Sequence, residues 1–221
     1  MHYSITNKTE IIDLINEDLT CNDLAEFPID IMGASVSLMD SSPVICGGAL
    51  FYKATNQCYI LNNGTWNIFG NMKDKRYSAS SLQLDKSSFQ LFGGYDLDAG
   101  SFLNTTEVVF SNGSAIYGPT MPFPLRKFAI GKINETMSLI IGGQTCHDYS
   151  DLTWYYDQVN QTFKPGPTLL KGRICHTAGI VRDQITNQEF VVVVGGQDSN
   201  GIMNSIEMLI NGEWEIGKQE N

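Results

Sequence analysis

Two Cys-His dipeptides, Cys146-His147 and Cys175-His176, are the residue types in this 221-residue chain best suited to hold a metal. Four nitrogen and sulfur ligands of that kind make a tetrahedral zinc site. On an extended strand, neighbouring side chains face opposite sides, so each dipeptide offers one ligand to a given metal, not two. Cys21, Cys46, Cys58, Cys146 and Cys175 are an odd set of five, and at least one stays outside any internal pairing. The loops Tyr95-Asp96-Leu97-Asp98-Ala99-Gly100 and Asp148-Tyr149-Ser150-Asp151 bring two carboxylates each. Calcium takes about six to eight oxygens, so both loops read as solvated. No Gly-x-Ser-x-Gly elbow, phosphate loop or His-Glu-x-x-His helix stands in the chain. Nothing here names a catalytic residue, a metal ligand or a cofactor, and the chain is expected not to be an enzyme.

Charge and composition narrow the partners. Fourteen basic residues against 24 acidic ones give a net charge of −10. Nucleic-acid surfaces are basic stripes, so no nucleic-acid partner is expected. The longest apolar run, Phe190 to Val194, is far short of the ~20 residues of a membrane helix, so no membrane span is expected either. Low charge with 10% aromatic residues argues for a packed chain. Asn7, Asn63, Asn104, Asn112, Asn134 and Asn160 each open an Asn-x-Ser/Thr sequon. Random placement of these residue types would give about two to three. The excess points to glycosylation in an extracellular or secreted protein. Met1 to Asn7 has no basic start, apolar core or cleavage site of a secretory leader. The expectation is a piece of a longer secreted protein, with a cytoplasmic location as the alternative.

The elements that must carry these residues repeat. Apolar runs end in Gly-Gly four times, at Gly47-Gly48, Gly93-Gly94, Gly142-Gly143 and Gly195-Gly196, spaced 46, 49 and 53 residues apart. Arg76, Arg126 and Arg173 each precede a diglycine by 16 to 22 residues, and Trp66, Ile116 and Phe163 lie ten residues before them. Ala34, Ala79, Ala129 and His176 fall in one column, and Trp214 refills the Trp column. Glu10, Glu107 and Glu207 each lead an apolar stretch, a slot that Cys58-Tyr59-Ile60-Leu61 and Trp154-Tyr155-Tyr156 share. Asn-Gly pairs at Asn63, Asn112 and Asn211 mark hairpin turns. Each unit therefore reads as four short strands. The expected division is a disordered start at 1–8, a half blade at 9–31, blades at 32–70, 71–118, 119–165 and 166–218, and a tail at 219–221.

A period near 50, apolar runs into Gly-Gly, an Arg-x-x-Ala start and a later aromatic strand resemble kelch repeats. The resemblance spans about residues 9–218 and implies an all-β, kelch-type β-propeller: four complete four-stranded blades plus an N-terminal half blade. Such an arc leaves edges unpaired, which reads as a truncated propeller. The Trp column is expected to pack blade on blade, and the Arg column to hydrogen-bond carbonyls between blades. The diglycines are expected to supply positive φ or room for a close approach.

Secreted kelch proteins are similar in their Cys-Gly-Gly…Cys-Tyr arrangement, and a Cys46–Cys58 disulfide closing the loop between second and third strands fits it. A Cys146–Cys175 bridge is expected to staple blade three to blade four, leaving Cys21 over. Loops between second and third strands collect on one rim with Phe51, Tyr52, Tyr95, Phe102, His147 and Tyr149, the candidate binding surface for a protein or glycan partner. The resemblance implies a non-enzymatic extracellular interaction module. One alternative is a cytosolic kelch adaptor presenting substrates to a ubiquitin ligase. A remote one is a galactose-oxidase-like copper enzyme, for which His2, His147 and His176 are the only histidines.

Overall fold

The computed structural model describes residues 7–12, 21–50, 52–184 and 187–217. Every regular element among them is a β-strand. Alternating patterns bounded by Asn-Gly and Gly-Gly fold into four antiparallel four-stranded sheets, each a meander in chain order. Blade 1 comprises Ser35–Met39, Ser42–Cys46, Gln57–Asn62 and Thr65–Asn71. Blade 2 comprises Ser80–Asp85, Ser88–Phe92, Thr106–Phe110 and Ala115–Tyr117. Blade 3 comprises Ala129–Lys132, Met137–Ile141, Thr153–Asp157 and Thr162–Pro165. Blade 4 comprises Thr177–Arg182, Glu189–Val194, Ile206–Ile210 and Glu213–Ile216. Glu10–Ile12 and Cys21–Asp23 pair separately ahead of them. The first strands of successive blades neighbour one another, which puts them at the hub.

Blades bury their faces against each other because one sheet has no other cover for its second apolar face. Val44, Met72, Phe89 and Leu91 fill the space between blades 1 and 2. Phe92, Met121, Leu125, Phe128 and Tyr156 fill the next, and Leu139, Ile141, Leu169, Val193 and Trp214 the third. Ser88–Phe92 is buried at every residue, as a strand covered on both faces must be. One repeating position escaped the sequence reading. Phe27, Met72, Met121 and Leu169 follow the fourth strand of successive units and are all buried. Their N–H groups donate to Asn7, Asn56, Asn104 and Asp151 carbonyls at 2.6 to 2.8 Å. Their spacing from the diglycines varies, so only hydrogen bonding reveals the column.

Hydrogen bonding also corrects the repeat register by one residue between blades 2 and 3. Gly48, Gly94 and Gly143 donate to the carbonyls of Arg76, Leu125 and Arg173, each at 2.8 Å. The residue equivalent to Arg76 and Arg173 is therefore Leu125, not Arg126. By the same slip, Ala115 rather than Ile116 shares the column of Trp66, Phe163 and Trp214, since it pairs with Val109 as they pair with Leu61, Tyr156 and Leu209. Phe128 rather than Ala129 joins Ala79 and His176. Burial follows: Ala115 is buried and Ile116 is 53% exposed. A one-residue shift on a strand exchanges its faces, so the two registers make opposite claims about what is inside.

The topology sorts connections onto two rims. First-to-second and third-to-fourth hairpins leave each meander at one end. Second-to-third loops and the links between blades leave it at the other, beside the diglycines.

Candidate functional site on the diglycine rim

Positive φ at all eight diglycine residues turns the chain off the second strand and out onto the rim. There Tyr95–Asp96 and Ser101–Phe102 form a small hairpin. Tyr95 and Phe102 meet edge to face at 5.0 Å. The link into blade 3 passes beside them, tied by the Arg126↔Gln144 bridge. The Arg126 guanidinium carbon lies 4.7 Å from the Tyr95 ring centre and 5.0 Å from that of Phe102. Its Nε donates to Gln144 Oε1 at 3.0 Å. Gln144 in turn bridges to Tyr149. Two of the six candidate rim residues, Tyr95 and Phe102, thus enclose one arginine, and a third, Tyr149, pairs with that arginine's partner Gln144. Of the other three, Tyr52 stands 87% exposed on the rim of blade 1. His147 is exposed in the turn closed by Thr145 and Asp148. Phe51 lies outside the described residues. Beyond Tyr149, Lys171, Asp148 and Asp198 line a polar cleft of about 290 Å³ between the rims of blades 3 and 4.

Arg76 and Arg173 do different work. Both guanidiniums are fully buried. Arg76 donates to the Gly93 carbonyl at 2.6 Å and to Glu107 Oε1 at 2.6 Å. Arg173 donates to the Gly195 carbonyl at 2.9 Å and to Glu207. Glu107 also accepts from the Lys73 and Asp74 amides, at 2.5 and 2.9 Å. Each arginine joins a diglycine to the following strand of its own blade and, through its carbonyl, to the preceding blade. At the equivalent positions blade 3 carries Leu125 and Trp154, and blade 1 is preceded by Ile31 and carries Tyr59. Ion pair and apolar pair alternate around the arc.

Cys46 and Cys58 sit directly opposite in the blade 1 ladder and form the expected disulfide. The expected Cys146–Cys175 bridge is absent, and both thiols are free and exposed. Cys175 takes positive φ and donates its N–H to Lys127 O at 3.1 Å, at the start of the inner strand of blade 3. Cys146 instead rides the Thr145–Asp148 turn of the same blade. Cys21 opens the second strand of the separate pair. His176 is nearly buried beside Gly142, its Nε2 3.0 Å from the Ile141 carbonyl and its Nδ1 without a partner. Burial, helped by the Arg173 charge, lowers its pKa to about 4. It is buried between blades 3 and 4, whereas His147 is exposed on the rim. Among the described residues no three His, Cys, Asp or Glu side chains converge as a metal site.

Asn63, Asn112, Asn134 and Asn160 are exposed at hairpin tips, all on the rim opposite Arg126. Asn7 and Asn104 are half-buried at equivalent places ahead of a third strand.

A scan against protein-family models finds no match. A search of curated proteins finds none either. Among solved structures, that of YjhT superposes with a TM-score of 0.83 over 96% of this chain and 78% of its own, at 13% identity. The fold is a β-propeller. At that identity the likeness carries the fold alone. Among the described residues no helix is long and apolar enough to cross a membrane.

Neither the Arg126 cluster nor the alternation of clamps was visible in sequence. The signal for the first was present but misassigned, because Arg126 falls into a false column with Arg76 and Arg173.

Proposed function

We propose that this propeller is a non-enzymatic, kelch-type interaction module of an extracellular protein, and that it engages its partner through the diglycine rim. The observation that carries the reading is the Tyr95–Phe102–Arg126 cluster, held on short loops over a rigid core. Aromatic and arginine side chains are the groups that dominate binding energy at interfaces. Four of the six sequons, Asn63, Asn112, Asn134 and Asn160, stand exposed on the opposite rim, whereas Asn104, beside Phe102, and Asn7 are half-buried on the diglycine rim.

A photo-crosslinking residue placed at Phe102, with a control at Glu135 on the opposite rim, tests the binding face. Partner adducts from Phe102 alone are expected, and adducts from Glu135 alone would reject it. A second reading, a cytosolic adaptor, draws on Cys146 and Cys175 being free thiols on the surface. Gel mobility of the protein from its own cells separates the two, without and with reductant and glycosidase. The extracellular module shifts with both reagents, and the adaptor with neither.

A further inference from the structure

The repeat requires a side chain at the Arg126 position but not a charge. Met32, Tyr77 and Ile174 occupy it elsewhere, each bridged to the residue after a diglycine as Arg126 is to Gln144. The charge is therefore surplus to the fold. The chain has four arginines. Arg76, Arg173 and Arg182 each contact a glutamate, at Glu107, Glu207 and Glu189. Of these four, only Arg126 has no carboxylate within ion-pair distance among the described residues, in a chain where acids outnumber bases by ten. Two rings and Gln144 hold its guanidinium plane, and the backbone beneath is pinned by reciprocal bonds to Gln144 at 3.1 and 2.7 Å. Among the described residues its terminal amino groups have no protein acceptor, and the residue is half-buried.

We propose that Arg126 is the anchor for an Asp or Glu side chain on a protruding segment of a partner protein. This rests on the rim reading above. A planar guanidinium with its stem immobilised and its outer N–H groups unspent matches a carboxylate in bidentate fashion, and it has already lost the freedom that binding would otherwise cost. The site lies open on the rim instead of at the bottom of a cavity, which suits a protein loop over a small acid enclosed by its site. The chain's own negative field opposes an acidic partner at long range, but salt screens it beyond about 8 Å at physiological strength, so contact at Arg126 decides.

The test is selection of a displayed random 12-residue peptide library on the wild-type chain, followed by affinities for R126Q, R126K and F102A. Peptides sharing an Asp or Glu are expected. Their binding should fall tenfold or more with R126Q, with R126K, and when that acid becomes its amide. The melting temperatures of R126Q and R126K should stay at the wild-type value. Peptides that need Phe102 but tolerate R126Q overturn the anchor and leave the rim standing. Peptides indifferent to both variants, or no peptides at all, overturn both.

Discussion

At the scale of single residues, two buried charges per clamp are tolerable only together. Removing one partner of a buried pair strands the other without compensation, at a cost of about 3–5 kcal/mol, whereas replacing both with apolar groups is often neutral. Blade 3 carries out that replacement naturally, with Leu125 and Trp154 in place of the ion pair. Arg76→Leu should therefore lower stability to urea by about 3–5 kcal/mol. Arg76→Leu with Glu107→Leu should recover part of that loss, the remainder reflecting the Lys73 and Asp74 amides that lose their acceptor. A double variant as unstable as the sum of the singles would show that the pair does not act by mutual neutralisation. His176 gives the fold a pH dependence. Its folded pKa of about 4 lies below its ordinary 6.5, so the fold binds fewer protons than the unfolded chain. That contribution is complete above pH 6.5 and is lost as pH falls toward 4, by about 3 kcal/mol in all. Denaturation midpoints at pH 7 and 4.5 should separate in the wild type and converge in His176→Phe.

At the scale of elements, the two tryptophans of the repeat column differ in what they bury. Trp214 is 4% exposed, fills the space between blades 3 and 4, and donates Nε1 to the Pro167 carbonyl at 3.1 Å. Trp66 is half-buried, meets Phe27 edge-on at 5.1 Å, and directs its Nε1 to Thr9 Oγ1 at 3.5 Å. Trp214→Ala should cost about 3–5 kcal/mol and Trp66→Ala clearly less, as read from thermal melts. Equal losses would contradict this packing. Gly93→Val should also destabilise by several kcal/mol, because Gly93 has φ +57 and its Cβ would run into the Leu125 carbonyl. The strand pattern was legible because diglycines and Asn-Gly turns are local and repeat at nearly constant distance. The register between blades 2 and 3 was not, because a constant offset of ten from Ile116 to Arg126 mimics the true columns one residue away. The aromatics of the diglycine rim were legible as a group, since loop membership follows from the strand order. That Tyr95 and Phe102 enclose Arg126 was not, because the contact joins the loops of two blades.

At the scale of the whole molecule, one disulfide and three buried interfaces among the described residues set stability. Cys46–Cys58 closes a loop of twelve residues' separation at the blade 1 rim. Loop-entropy arguments give it about 3 kcal/mol, so reductant should lower the melting temperature of the chain and leave that of Cys46→Ala/Cys58→Ala unchanged. The same bond has a mechanical meaning. If tension were applied along the chain, the N-terminal strand pair and the inner, first strand of blade 1 would peel first. The staple would then stop the rupture between the second and third strands, withholding about 40 Å of extension that a thiol reagent would release.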